Sequence, residues 1–575
     1  MVPEVSGIDK VFDYLVPESL VPRVGRGTRV RIDLNGRRVG GWVVEVGSAE
    51  ERTDVQVDIS RLVPIVSVSG DGVDPSVIPL TKWMSQRWFG SWRATLSSAS
   101  APRMRGRHVN PRRGQKISFP DDSVTTAARE LVVRGGGLLV VPPLASALNV
   151  VAEAARNGSV LVVCPTQRMA VMGAAALRRR GFTTALVPDD WDAAKSGVDI
   201  VIGARSAVLA PCEGMSSIVV IDEHDELHHE ERAPTWNAAD VAQERARRAG
   251  VPCVLTSAVP SADALHLFSE SMTVVHSETA WPRVEVVNLD DVPVAGSLLS
   301  SEMLSSITTS GATTVCVLNT KGKARLITCK SCRAVQSCST CSSLLTQSDE
   351  GELLCMRCNT TAGSVCISCG RTAFVVPRGG VSQLVSQVVK STRNPVVEVT
   401  ADADDSWTKG SVFIGTEAVL YRIPQSDAVV FADIDRDLSA PRLTASREVL
   451  ALVARAARLV GSNGRIIVQT RQPKHPLLIA LASADPQSAL LQWMANDLAQ
   501  RRMFLMPPFA SMVRINVVAP KSVDDIPTIA GVDIAREESS AILKSTDAEV
   551  LSNAVQQLRE QFGNALRVHA DPKRY

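Results

Sequence analysis

The run Ile218-Val219-Val220-Ile221-Asp222-Glu223-His224-Asp225 decides how the chain is read. Four consecutive apolar residues without polar alternation predict a strand buried on both faces, as in a parallel sheet, with acids at its C-terminal end. Similar runs at 138–141, 160–164, 199–202 and 253–256 alternate with helical stretches such as 169–180 and 238–249. That rhythm predicts a parallel sheet with helices on both faces. A second series, at 314–318, 374–376, 396–399, 412–414, 428–431 and 465–469, predicts a second α/β lobe. In a nucleotide hydrolase, Asp222 would hold Mg²⁺ and Glu223 would position the attacking water. On their own, the four residues after Ile221 read as an acidic strand-to-helix loop.

Inside the second series lie four Cys-x-x-Cys knuckles: Cys329/Cys332, Cys338/Cys341, Cys355/Cys358 and Cys366/Cys369. They hold eight of the chain's twelve cysteines, and each points two thiolates at one place, half of a tetrahedral zinc site. Leu344-Leu345-Thr346 and Glu352-Leu353-Leu354 flank a turn-like Ser348-Asp349-Glu350-Gly351, predicting a hairpin with a knuckle at each foot. Cys338, Cys341, Cys355 and Cys358 then share one Zn²⁺, and Cys329, Cys332, Cys366 and Cys369 the other, nested around it. Such closed sites of four thiolates are structural rather than catalytic. Lys330, Arg333, Arg357 and Arg371 stand where they offset the sites' negative charge.

The chain's 575 residues exceed a single core, and 45% hydrophobic with 21% charged residues describes a globular protein. A net charge of +2 neither demands nor excludes nucleic acid. No apolar run reaches membrane-spanning length, and Met1-Val2-Pro3-Glu4 starts no secretory signal, so a cytoplasmic, nucleoid-associated location is expected. Residues 1–102 read as a small β-rich domain. Arg23, Arg26, Arg29, Arg31, Arg37 and Arg38 crowd one stretch there, and strand alternation puts Arg29 and Arg31 on one face. A solvated basic face and a DNA-contacting one fit this equally. The acid-free stretch 103–116 reads as a basic linker suited to phosphate contact or to solubility.

Around the acidic run stand Ile200–Pro211 (Ile-Val-Ile-Gly-Ala-Arg-Ser-Ala-Val-Leu-Ala-Pro) and Ser257-Ala258-Val259-Pro260-Ser261. Together with the nested cysteines, Phe12-Asp13-Tyr14 and Arg501-Arg502-Met503…Pro507-Pro508-Phe509, they resemble the primosomal protein N-prime (PriA) family over nearly the whole chain. The resemblance implies a multidomain α/β replication restart protein similar to superfamily 2, 3′-to-5′ DNA helicases. Its parts would be an N-terminal β-rich DNA 3′-end-binding domain (1–102), a basic linker (103–119), a first RecA-like lobe (120–285) and a second (286–328 and 370–504). An inserted double zinc module (329–369) and a C-terminal α+β domain (505–575) would complete it. Phe12, Asp13 and Tyr14 match the family's pocket for a 3′ end, with Arg29, Arg31 and Arg37 as neighbouring DNA contacts. Implied partners are forked DNA with a 3′ end, primosomal and helicase-loading proteins, single-stranded DNA-binding protein and the replicative helicase.

The departures from the family pattern fall on its motor. Where the family has a phosphate loop ending Gly-Lys-Thr, this chain has Pro142-Pro143-Leu144-Ala145-Ser146-Ala147-Leu148, with Ala147 in the lysine's place and Leu148 in that of the Mg²⁺-binding hydroxyl. The acidic motif lacks one acid of Asp-Glu-Glu-His. The last motif keeps Arg455 and Arg458 but has alanines for its glycines. Asp222, Glu223, Arg455 and Arg458 are thus remnants; turnover of ATP is not expected, and the sequence leaves open whether ATP with Mg²⁺ still binds. A restart scaffold without helicase activity is the expected function. The alternatives are an active ATP-dependent 3′-to-5′ helicase with an atypical phosphate loop, or a zinc-ribbon module of a transcription complex.

Overall fold

The computed structural model describes residues 1–8, 10–48, 61–101, 114, 122–277, 281–293, 297–319, 327–332, 334–339, 345–347, 352–355, 360–375, 381–399, 410–440 and 442–572. The chain divides into two compact units, Met1–Val141 with Ser146–Val275 and Leu505–Asp571, and Pro142–Ala145 with His276–Phe504 and Pro572–Tyr575.

In the first unit, the apolar runs form a seven-stranded parallel sheet. Its order is Met272–Val274, Gly136–Val140, Cys253–Ser257, Met215–Val220, Ser159–Val163, Ile200–Gly203 and Thr184–Leu186. The central strands are buried throughout, which explains why they carry no alternation. The two edge strands at 184–186 and 272–274 are short and half-exposed, and sequence periodicity missed both.

Before this sheet comes a four-stranded antiparallel one, in the order Val2–Pro3, Arg37–Trp42, Arg29–Leu34, Ser67–Gly70. Asn35 and Gly36, at φ 51° and 77°, supply the two left-handed residues of a tight hairpin turn. Val30 and Ile32 pack inward with Val43 and Ile65, leaving Arg29 and Arg31 on the opposite face. The strand Arg37–Trp42 ends at Trp42, after which Val43 still exchanges main-chain hydrogen bonds with Thr28 and Gly27 at 3.0 and 2.7 Å. The domain is also less purely β than its sequence suggested, since the helices Ile78–Arg87 and Trp92–Ser98 complete it. The C-terminal part is α+β as read: strands Asp533–Arg536, Ser540–Ser545, Ser511–Val517 and Leu566–Ala570 are covered by the helix Ala548–Phe562.

The second unit holds a six-stranded parallel sheet, ordered Arg283–Asn288, Arg465–Thr470, Ala428–Phe431, Thr314–Val317, Val412–Gly415, Val396–Val399. Two boundaries move. Arg283–Asn288 pairs with Arg465–Thr470 from its first residue, so the second lobe starts before 286. Phe374–Val375, expected in this sheet, instead pairs antiparallel with Thr328–Cys329 and belongs to the cysteine module. The linker, apart from Gly114, lies outside the described residues. No helix among the described residues is long and apolar enough to cross a membrane.

Candidate functional site

The strap carrying Phe12, Asp13 and Tyr14 is held at both ends by main-chain bonds. The Met1 amino group donates to the Phe12 carbonyl at 2.7 Å, and the Phe12 N–H donates back to the Met1 carbonyl at 2.9 Å. Further on, Leu15 N–H donates to Val63 and Ile65 N–H to Leu15, both at 3.0 Å. Phe12, Asp13 and Tyr14 all line a cleft of about 360 Å³, walled by Met1, Val43, Val46 and Leu62. That volume lies at the lower end of small-ligand pockets, roughly 300–1,000 Å³. Tyr14 Oη donates to the Asp33 carbonyl at 3.0 Å, and burial, then the Asp33 charge, raises its phenol above the ordinary value. Among the described lining residues the charged side chains are Asp13 and Glu45, beside the Met1 ammonium bonded to the Phe12 carbonyl. Arg29, Arg31 and Arg37 are not part of that lining. Arg29 is ion-paired to Glu4 and lies over the Trp42 ring, while Arg31 and Arg37 are exposed.

In the cysteine module, the Sγ atoms of Cys329, Cys332, Cys366 and Cys369 lie within 4.8 Å of one another. Cys329 is 3.5 Å from Cys369, and Cys332 is 3.5 Å from Cys366. A tetrahedral ion with Zn–S bonds of about 2.3 Å sets its sulfurs about 3.8 Å apart, so this donor set fits zinc. The knuckle at 366–369 turns on Gly370, at φ 71°, whose N–H donates to the Cys366 carbonyl at 2.8 Å. Burial raises the Cys366 thiol, but backbone N–H groups of Cys369 and Ser368 outweigh it and bring it down to about 6. A backbone N–H from Cys332 lowers the Cys329 thiol; at Cys332 a backbone N–H from Ala334 lowers the thiol, but hydrogen bonds with the neighbouring thiols and burial outweigh it and raise it to about 12. A bound cation would deprotonate the whole set. Cys338 and Cys355 are buried in a small core with Ile327, Leu345 and Leu353. The hairpin Leu345–Gln347/Leu353–Cys355 sits where the sequence put it, with Leu345 opposite Cys355. Cys341, Cys358, Arg333 and Arg357 lie outside the described residues.

The acidic run ends its strand through Asp222, a buried residue at φ 54°. Asp tolerates this left-handed conformation better than most residues. Glu223 is buried and turned onto Ser261, the N-cap of helix Ala262–Leu267: Oε1 accepts from Ser261 N–H at 2.9 Å and Oε2 from Ser261 Oγ at 2.8 Å. Burial outweighs these bonds and raises its carboxyl to about 7. His224 shares a 2.6 Å hydrogen bond with Ser257 Oγ, and burial lowers its imidazole to about 4. Arg205, from the Ile-Gly-x-Arg-Ser-Ala stretch, donates to the carbonyls of Leu227 and His229 at 3.1 and 2.5 Å and to Glu230 Oε2 at 2.9 Å. These bonds fix the loop that follows the acids. In the 142–148 segment, helix Leu148–Ala154 starts at Ala147 with no side-chain cap. The N–H groups of Asn149 and Val150 are used locally, on Ser146 and Ala147 carbonyls at 3.2 and 3.1 Å.

In the second lobe, Arg455 donates to the Leu420 carbonyl at 3.2 Å and stacks on Tyr421. Arg458 donates to the Pro143 carbonyl at 2.9 Å, and burial lowers its guanidinium to about 10. A polar cluster that sequence reading missed occupies the C-terminal strand ends of this sheet. Asn319 Nδ2 donates to Glu417 Oε2 at 3.3 Å and to both Asp437 carboxylate oxygens at 3.2 Å. Arg471 N–H donates to Asp435 at 2.7 Å. Burial raises Asp437 to about 7 and Asp435 to about 6. The signal was present, because Phe431-Ala432-Asp433-Ile434-Asp435-Arg436-Asp437 repeats the strand-then-acid pattern of 218–225.

The 3′ DNA-binding domain (3′BD) model of PriA matches residues 2–101. Curated relatives named replication restart protein PriA align over more than half of the chain. That of Treponema pallidum is 29% identical over 346 residues, 55% of this chain and 51% of its own. That of Thermotoga maritima is 25% identical, covering 57% and 47%, and that of Bacillus subtilis 24%, covering 60% and 46%. The chain therefore spans about half the length of the curated relatives it matches. Among solved structures, the DUF1998 helicase MrfA bound to DNA and AMPPNP aligns at TM-score 0.36 and 12% identity, covering 68% of this chain and 56% of that one. The Escherichia coli DEAH/RHA helicase HrpB aligns at 0.34 and 10%, covering 68% and 50%.

Proposed function

Because the chain belongs to the PriA family of replication restart proteins, we propose that it recognises abandoned replication forks by the nascent 3′ end and directs reloading of the replicative helicase, without unwinding DNA itself. One observation carries this reading: Phe12, Asp13 and Tyr14 line one cleft inside the segment that matches the 3′ DNA-binding domain. The Phe12 ring offers a stacking face to a terminal base. Asp13 accepts a hydrogen bond from a terminal 3′-hydroxyl, and with Glu45 it repels a 3′-phosphate. The exposed Arg31 and Arg37 hold the backbone outside the cleft and make binding salt-sensitive, while Arg29, tied to Glu4, contributes less.

Two further points support the scaffold reading. The four clustered thiols suit a structural Zn²⁺, and the hairpin with Cys338 and Cys355 at its feet suits a second, giving a rigid module for DNA and primosomal partners such as single-stranded DNA-binding protein and helicase loaders. The phosphate-loop segment offers neither lysine nor glycine, and the Glu223 carboxyl is bonded to Ser261. ATP hydrolysis is therefore expected to be negligible with or without forked DNA.

The test is binding to forks that differ only at the leading-strand terminus, 3′-hydroxyl against 3′-phosphate, at one salt concentration. The parent should prefer the hydroxyl and Asp13→Ala should lose that preference. Equal affinities for the two termini would remove the cleft from this account.

A further inference from the structure

Gln336 lies between two of the knuckles and is fully buried, rare for a carboxamide. Its side chain makes three hydrogen bonds. Nε2 donates to the Ala334 carbonyl at 2.8 Å and to Cys366 Sγ at 3.3 Å, and Oε1 accepts from the Ile367 N–H at 3.0 Å. Its main chain faces the hairpin: the N–H donates to Ile327 and the carbonyl accepts from Leu345, both at 2.9 Å. Leu345 pairs across the hairpin with Cys355. One residue thus touches a thiol of the outer set, the backbone of that thiol's knuckle, and the hairpin of the inner set.

We propose that Gln336 seats the Cys366–Cys369 knuckle on the hairpin and strengthens zinc binding by the outer four thiolates through its N–H···S bond to Cys366. The proposal rests on the zinc reading given above. Four ionised thiolates around one Zn²⁺ carry two net negative charges in a partly buried place. A donor on one sulfur draws off part of that charge. Outer partners of this kind set metal affinity, and losing one typically weakens it about 10- to 100-fold.

The full chain is compared with Gln336→Leu, which keeps the volume but has no donor or acceptor. Gln336→Glu keeps an acceptor for Ile367 N–H but loses the donor and adds a charge. Zn²⁺ content is measured first, then affinity by competition with a chelator, then thiolate-to-metal charge-transfer absorption with Co²⁺ in place of Zn²⁺. In both variants one of two ions should bind about 10- to 100-fold more weakly, with the second unchanged. A parent without zinc would overturn the zinc reading itself. A parent with zinc whose Gln336→Glu variant binds as tightly as the parent would overturn the sulfur bond alone. Equal weakening of both ions would also overturn the proposal, since a merely structural core residue produces that result.

Discussion

Glu223 stands where a motor would keep its carboxylate ready for water, and its environment makes the opposite demand. Its carboxyl is raised from 4.5 to about 7, first by burial and further by the Asp263 charge, against the lowering effect of bonds from Ser261 and Ser257. Between those two values the folded chain keeps a proton that the unfolded chain has released. Stability therefore falls as pH rises from 4.5, and the loss is complete above about 7. The shift corresponds to roughly 3 kcal/mol of destabilisation at pH 8. Glu223→Gln cannot ionise and retains an oxygen for Ser261 N–H, at a loss of about 1 kcal/mol for the altered bonds to Ser257 and Ser261. The variant should be more stable than its parent by about 2 kcal/mol at pH 8 and no more stable at pH 5. Hydrogen exchange of the Met215–Val220 strand, compared between the two proteins at each pH, reads this locally. At pH 8 the variant's amides should exchange about 30-fold more slowly where they exchange through opening of the lobe. Equal or faster exchange at pH 8 would refute the reasoning, because it would mean that Glu223 ionises without cost.

Arg205→Lys keeps the charge but loses the fork that reaches two carbonyls and Glu230; it should destabilise the first lobe by about 2–4 kcal/mol, read by thermal unfolding followed through Trp236 fluorescence. Gly27, at φ 88°, would place a Cβ onto the Val73 carbonyl, so Gly27→Ala should cost the N-terminal domain about 3 kcal/mol or more and abolish 3′-end recognition, while Gly36→Ala, which meets only open space, should cost less. Cys329→Ser should leave one zinc ion of two by elemental analysis, because the core around Cys338 and Cys355 does not include the outer sulfurs.

How much of this was legible follows from how each element is stabilised. The buried strands of both parallel sheets announce themselves as apolar runs because neither face meets water. The edge strands 184–186 and 283–288 have one partner each and ordinary composition, and only the pairing reveals them. Phe374–Val375 resembles a lobe strand in sequence, yet its partner Thr328–Cys329 is brought to it by the knuckles on either side. The grouping of the outer thiols could be argued from the hairpin alone. The role of Gln336 could not, since nothing local distinguishes it from a surface glutamine. Similarly, Arg29 reads as one of a basic series, and only the fold shows Glu4 beside it.

The strand ends of the two sheets point to one account of the acidic and basic groups that the sequence reading set against a motor pattern. A nucleotide site needs polar groups held open toward a ligand, so some of their hydrogen-bonding capacity waits for it. In the first lobe Glu223 is satisfied by Ser261, and Arg205 by the carbonyls of the loop behind the acids. In the second, Asn319 joins Glu417 to Asp437, while Asp435 accepts from Arg471 N–H and Thr470 Oγ1. These groups cross-link neighbouring strand ends, each bond contributing about 1 kcal/mol net. Removing one partner leaves a buried polar group unsatisfied at a cost of about 1–3 kcal/mol. Residues that fit a motor pattern in sequence thus serve the fold for a different reason, and their presence is compatible with Ala147 in the 142–148 segment. The same logic makes the motor motifs poor predictors of turnover in this chain, and under the proposed function its DNA-related chemistry belongs to the cleft of the first hundred residues, where Phe12 and Asp13 are only partly covered.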